Sequence, residues 1–158
     1  MMRSWIMAGL AFTLAACSPG AGEAKPAPAP TVHPESGLRV VALTVKSANG
    51  THRFKVEVAA SPVEQARGLM FRTKLGPDEG MIFPMDPPRG ASFWMKNTVI
   101  PLDIIFIAPD GRISNISANA VPYDLNPRTS TGLVKGVLEL AGGRAAELGI
   151  APGDKVSW

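Results

Sequence analysis

Apolar Phe54, Val56 and Val58 alternate with Arg53, Lys55 and Glu57, the period of a strand with one face in a core and one in water. This run, 51–59 (THRFKVEVA), follows another β-rich run, 39–47 (RVVALTVKS). Asn49-Gly50 between them predicts a hairpin, because tight turns need positive φ. Further strands are predicted at 80–83 (GMIF), 91–96 (ASFWMK), 103–108 (DIIFIA), 112–119 (RISNISAN) and 133–140 (LVKGVLEL). Pro109-Asp110-Gly111 supplies a second hairpin turn. Two segments break the strand pattern. Ser61-Pro62-Val63-Glu64 opens a short helix, with Ser61 as N-cap, Pro62 in the first turn, Glu64 completing a capping box and Gly68 at the stop. Residues 143–149 (GRAAELG) suit a second helix, and 150–158 (IAPGDKVSW) a turn and last strand. About seven short strands with two small helices predict a mainly β fold, a single-domain barrel or sandwich, with α+β as the alternative class.

The first residues follow a different pattern. Arg3 is the only charge before Glu23, and an apolar stretch of 12 residues runs from Trp5 to Ala16. A positive start, an apolar core too short to span a bilayer and small residues at its end predict a secretory signal over 1–16. Leu14-Ala15-Ala16-Cys17 resembles the lipobox of bacterial lipoproteins, which implies diacylation of Cys17 and cleavage before it. Acyl chains anchor through about 0.8 kcal/mol per buried methylene. The expected location is the cell envelope, facing the periplasm. Ser18 after the Cys, rather than Asp, favours the outer membrane in a Gram-negative cell. Residues 17–37 then form the expected tether: the stretch 18–37 holds five Pro, four Ala and three Gly, too little apolar surface to order itself. His33 falls inside it and reads as a solvated linker residue. The globular domain is expected over 38–158.

Composition narrows the chemistry. Of 158 residues, 46% are hydrophobic, enough for one packed core. With Cys17 the only Cys, no internal disulfide and no Cys-rich zinc site can form. Only His33 and His52 could serve a His-based centre, and no metal site or other cofactor is expected. The formal charge of +3 is spread over scattered Lys and Arg, without the stripe that phosphate contacts would need, so no nucleic-acid partner is expected. Met70, Met81, Met85 and Met95 are thioethers that suit Cu(I), but their apolar surroundings read as core packing.

The strings ASPVEQARGLMFR (60–72), GMIF (80–83), FWMKNTVIPLDIIFI (93–107), VLELAGG (137–143) and GIAPGD (149–154) occur in order. Together they resemble the family known as domain of unknown function 192, small secreted or lipid-anchored bacterial and archaeal proteins. The resemblance covers nearly all of residues 40–158 and is most specific at Phe93-Trp94-Met95-Lys96-Asn97-Thr98 with Pro101-Leu102-Asp103. It implies a compact β-rich domain and supplies no established activity, substrate or cofactor. Pro84 and Gly136 stand where an apolar residue is more usual.

Strand alternation sets Ser92, Trp94 and Lys96 on one face and Phe93 and Met95 on the other. Asp103 shares a face with Ile105 and Ile107, and Lys135 with Val137 and Glu139. Charges in such apolar strands need partners or water. A cluster of Lys96, Asp103 and Glu139 with Arg72 is therefore expected, with Asn97 on the shoulder of its loop and Trp94 as a stacking platform or a plug. It could bind a polar ligand or hold a carboxyl for acid–base work. The alternative for Asp103 is structural, capping backbone N–H groups of its loop. No G-x-S-x-G elbow occurs and neither His lies in the family strings, which speaks against a Ser-His-Asp hydrolase. The leading expectation is a lipid-anchored envelope module that binds a small polar ligand or an envelope protein. The alternative is an envelope hydrolase acting on cell-wall material through Asp103 or Glu139. Oligomeric state is not legible.

Overall fold

The computed structural model describes residues 31–158; the expected signal sequence, the Cys17 lipidation site and the tether up to residue 30 lie outside the described residues. Ten strands and two short helices follow in order: β1 (Thr31–Val32), β2 (Arg39–Ser47), β3 (Gly50–Val58), α1 (Pro62–Arg67), β4 (Glu79–Arg89), β5 (Ser92–Phe93), β6 (Leu102–Ile107), β7 (Ile113–Ala120), β8 (Arg128–Thr129), β9 (Val134–Ala141), α2 (Arg144–Glu147) and β10 (Lys155–Ser157). The main sheet runs β1-β2-β3-β4-β9-β6-β7, with β10 also on β2. Only β3 and β4 pair in parallel, and α1 lies in the crossover that such a pair requires. The far edge curls back until Arg112 forms a single bridge with Lys155. One bridge does not close a barrel. The small β5-β8 sheet packs Phe93 and its neighbours over the other face, so the body is sandwich-like, with a core on each side of the main sheet.

Those two cores explain the sequence pattern. Leu43, Val45, Phe54, Val56, Ile82, Ile105 and Leu138 form one; Met81, Phe83, Ile104, Phe106 and Val137 form the other, under Leu69 and Met95. Strands β4, β6 and β9 supply both, which is why β6 (LDIIFI) is buried at every position and reads as a continuous apolar run. Met81, Met85 and Met95 are core side chains.

Several expectations shift locally. Ser47 pairs with Gly50, so the hairpin turn is Ala48-Asn49 and Gly50, at φ +133°, already starts β3. The strand expected over 91–96 stops at Phe93, because the Met95 N–H is drawn to the Asp124 carbonyl (2.9 Å) and a tight turn returns Thr98 N–H to the Met95 carbonyl. Asn97 takes φ +55° in that turn. Strand β4 continues past Phe83 through Pro84, whose partner in β9 is Gly136, and the register slips between Pro84 and Arg89. Both departures from the family pattern thus sit opposite each other. A Cβ on Gly136 would come within 3.0 Å of the Trp158 ring, so the glycine gives the C-terminal indole its seat. Helix α1 forms as the pattern predicts: Ser61 caps, Glu64 completes the box and Gly68 ends it. The Glu64 carboxyl accepts from the Ser61 and Ala60 N–H groups, and the Ser61 bond foremost lowers its pKa.

Residues 31–37, assigned by composition to the tether, are bound to the domain. Thr31 and Val32 pair with Val40 and Arg39. His33 is not a solvated linker residue: its Nδ1 lies 3.3 Å from an Arg72 guanidinium nitrogen and its side chain is 22% exposed. Arg72 is the cause, because its buried guanidinium also reaches Glu35 at 3.2 Å and gathers the segment around it.

Candidate functional site

Lateral pairing puts Glu57, Met81, Glu139 and Ile104 in one row across β3, β4, β9 and β6, on the face covered by α1 and β5. Neighbouring strands lie about 4.8 Å apart, so the two glutamates sit about 10 Å from each other by backbone. Both are buried. Their charges are handled differently.

Glu57 is neutralised by an ion pair. An Arg72 guanidinium nitrogen donates to Glu57 Oε1 at 2.8 Å and Oε2 at 2.7 Å, and the Ser36 hydroxyl also donates to Oε2. A buried pair of this kind is tolerable because each charge is met and hydrogen bonded. Arg72 therefore serves the docking of residues 33–36.

Glu139 has no such partner. It is 5% exposed, and no group among the described residues hydrogen-bonds its carboxyl. Burial pushes its pKa from 4.5 up to about 8, so at neutral pH the group is a neutral acid. Its carboxyl opens on a cleft of about 430 Å³ lined by α1 and the following turn (Gln65 to Met70), by Phe83, Met85 and Arg89, and by residues 90–94 with Lys96 and Thr98.

The fold assembles the rim from separate elements. Arg67 ends α1 and lies 5.8 Å over the Phe71 ring. Gln65, two residues earlier, donates to the Ala59 and Pro84 carbonyls and accepts from Arg89 at 3.3 Å, so one amide ties α1 to the sheet and orients the guanidinium. Gly68 keeps the passage narrow: at φ +48°, a Cβ there would meet the Phe83 ring at 3.3 Å. Trp94 is half exposed, with the Lys96 ammonium 5.1 Å over its ring. This arrangement suits a ligand that stacks and carries charge.

The expected cluster is thus brought together in part. Trp94, Lys96 and Glu139 share the cleft. Asn97 sits beside it, its amide 3.8 Å from the Met70 sulfur. Arg72 belongs to the Glu57 pair instead. Asp103 is excluded by strand geometry: it pairs with Leu140 while Ile104 pairs with Glu139, so the two carboxyls leave opposite faces of the sheet and share no groove. Asp103 is fully buried and accepts from the N–H groups of Asn119 (2.7 Å), Gly143 (3.0 Å) and Ala145 (2.7 Å). It holds α2 and the end of β7 to β6, the structural role weighed for it. Sequence reasoning missed Arg67, which lies in a family string with nothing to single it out, Arg89, which lies in none, and Glu57, whose place in an alternating strand reads as solvent-facing. The capping box and the Pro84 slip were the available signals that α1 and β4 would converge. Among the described residues no group of three or more His, Cys, Asp or Glu side chains could hold a metal, and no helix is long and apolar enough to cross a membrane.

Two solved structures are similar to this chain. A crystal structure of a protein of unknown function from Novosphingobium aromaticivorans DSM 12444 is 57% identical, covers 87% of this chain and all of its own, and superposes with a TM-score of 0.81. A candidate transcription regulator from Sinorhizobium meliloti 1021 is 40% identical over 76% of this chain and 94% of its own, with a TM-score of 0.73. A comparison with curated proteins finds no match. Residues 43–158 match the family described as Uncharacterized ACR, domain of unknown function 192, and with most of its length matched the chain belongs to that family.

Proposed function

We propose that this protein is a cell-envelope module, held at the membrane by lipid on Cys17, that binds a small polar ligand in the cleft above Glu139. The observation that carries the reading is the buried Glu139 carboxyl, unpartnered among the described residues and opening on a cleft with an indole and three cations at its rim. An unmatched buried acid burdens a fold, and such groups concentrate where a ligand completes them. The Sinorhizobium relative is described as a transcription regulator; here α1 has six residues and α2 four, too short for a recognition helix in a groove. The test is a binding screen of envelope metabolites and wall fragments against the full chain in detergent. A ligand should bind wild type and be lost in Glu139→Gln and Trp94→Ala variants that melt like folded protein. Binding that survives both would remove the cleft from the reading.

The raised pKa of Glu139 favours a second reading, a hydrolase of wall material with Glu139 as general acid, since an acid must hold its proton at working pH. Paired-carboxylate glycoside cleavage gains no support, because among the described residues Glu139 is the only carboxyl lining the cleft. Turnover of wall fragments by wild type, lost in Glu139→Gln while binding persists, would select the enzyme.

A further inference from the structure

We propose that the cleft takes a small organic anion, its carboxylate or phosphoryl head among Arg67, Arg89 and Lys96 and its apolar body against Phe83, Met85 and Phe93. The inference rests on the reading of this cleft as a ligand site and names what the site selects.

Convergence of charge is the first argument. Arg72, Arg112, Arg128 and Arg144 each meet a carboxylate. Arg67, Arg89 and Lys96 do not, among the described residues; neither do Arg39, Arg53 and the other lysines, but these three are gathered on one cleft. Arg67 lies over Phe71, Lys96 over Trp94, and Arg89 has only the amide oxygen of Gln65. Three cations from three segments therefore line one concavity and leave their charge to an incoming group. Guanidinium forks match planar carboxylate and phosphoryl oxygens, and in a partly desolvated cleft such bonds are stronger than on an open surface.

The floor supplies the second argument. The charged or titratable groups lining the cleft are Arg67 from α1, Arg89 from β4, Lys96 from the following turn and Glu139 from β9. A protonated Glu139 has one O–H to donate and repels no anion, so an oxygen of the ligand can satisfy it. Ionised, it would oppose the same ligand. The apolar rings and thioether beside it give the body of the ligand a dry surface, and about 430 Å³ lies within the range of small-molecule sites.

The test is a ligand-observed NMR titration of the full chain in non-ionic detergent with four probes of similar size: benzoate, phenyl phosphate, benzamide and benzylamine. Benzoate or phenyl phosphate should bind saturably, with benzamide and benzylamine at least about tenfold weaker. Arg89→Gln and Lys96→Met should each weaken the anion about tenfold while the melting temperature holds. Raising the pH from about 6 to about 9 should weaken it further in wild type and not in Glu139→Gln. Benzamide or benzylamine binding as tightly as benzoate, with the same loss in Trp94→Ala, would overturn the anion class and leave the cleft as a ligand site. Anion binding indifferent to Arg89, Lys96 and Glu139 would place the anion elsewhere and overturn the inference. No binding by any probe would overturn it as well, whereas the ligand screen with Glu139→Gln and Trp94→Ala judges the cleft itself.

Discussion

At the scale of single residues, two buried glutamates in one row of the sheet show two ways of keeping a carboxyl out of water. Glu57 keeps its charge beside Arg72; Glu139 gives its charge up. The second solution makes stability depend on pH. The Glu139 pKa is about 8 in the fold against an ordinary 4.5, so the unfolded chain loses this proton first as pH rises. Between those values the folded state binds more protons, and each pH unit removes up to about 1.4 kcal/mol of stability. Glu139→Gln cancels that slope. Urea unfolding at several pH values should show wild type losing more stability than the variant between about pH 5 and pH 8, and parallel curves would refute the burial account. The other two buried acids are tested through their partners. Arg72→Met leaves Glu57 buried without its cation and should cost about 3–5 kcal/mol. Asp103→Ala strands three N–H groups and should cost about 3 kcal/mol or more, since each unsatisfied group costs about 1–3. Lys96→Met and Trp94→Ala, at exposed positions, should change stability by less than about 1 kcal/mol. A large loss at Lys96 or Trp94 with none at Asp103 would reverse the assignment of binding and structural roles.

At the scale of elements, what the sequence makes legible is what local chemistry decides. The capping box at Ser61 and Glu64, the Gly68 stop, the Pro109-Asp110-Gly111 turn and the alternation of β3 all stand in the structure. The misjudged parts are those set by distant contacts. Residues 94–96 have the composition of a strand, but the Asp124 carbonyl takes the Met95 N–H and bends the chain. Glu57 alternates like a surface residue, yet the turn after α1 brings Arg72 over it. The segment from Thr31 to Gly37 carries Pro34 at its centre and gives no pattern of its own. It is ordered by the β1-β2 pairing and by Arg72, to which His33 and Glu35 turn. A chain beginning at Thr31 should therefore unfold at higher urea than one beginning at Leu38, by about 1–3 kcal/mol for the lost Ser36 and Glu35 contacts with the Glu57–Arg72 pair. Equal stability of the two would return residues 31–37 to the tether.

At the scale of the whole molecule, the anchor and the cleft pose one geometrical question. Thr31 and Val32 pair with β2, beside the Arg72 cluster, and Arg67, Gly68 and Met70 line both the cleft and the hollow under Glu35 and Ser36. The chain therefore enters the domain close to the cleft rather than at its far end. Counting from Ser18 to Pro30, the proposed tether has 13 residues, and no chain of that length spans more than about 45 Å. This places the cleft within a short, bounded distance of the bilayer if Cys17 carries lipid. The proposed address is legible in sequence because a lipidation signal is a linear string, whereas a cleft built from four elements is legible only after they fold. Cells grown with labelled palmitate should therefore yield labelled wild-type protein in the membrane fraction. Cys17→Ala should carry no label and should leave the detergent phase, while its domain keeps the melting temperature of the wild type. An unmodified N-terminus on wild-type protein recovered free from the periplasm would remove the anchor, and with it the argument that the cleft works at a fixed distance from the membrane.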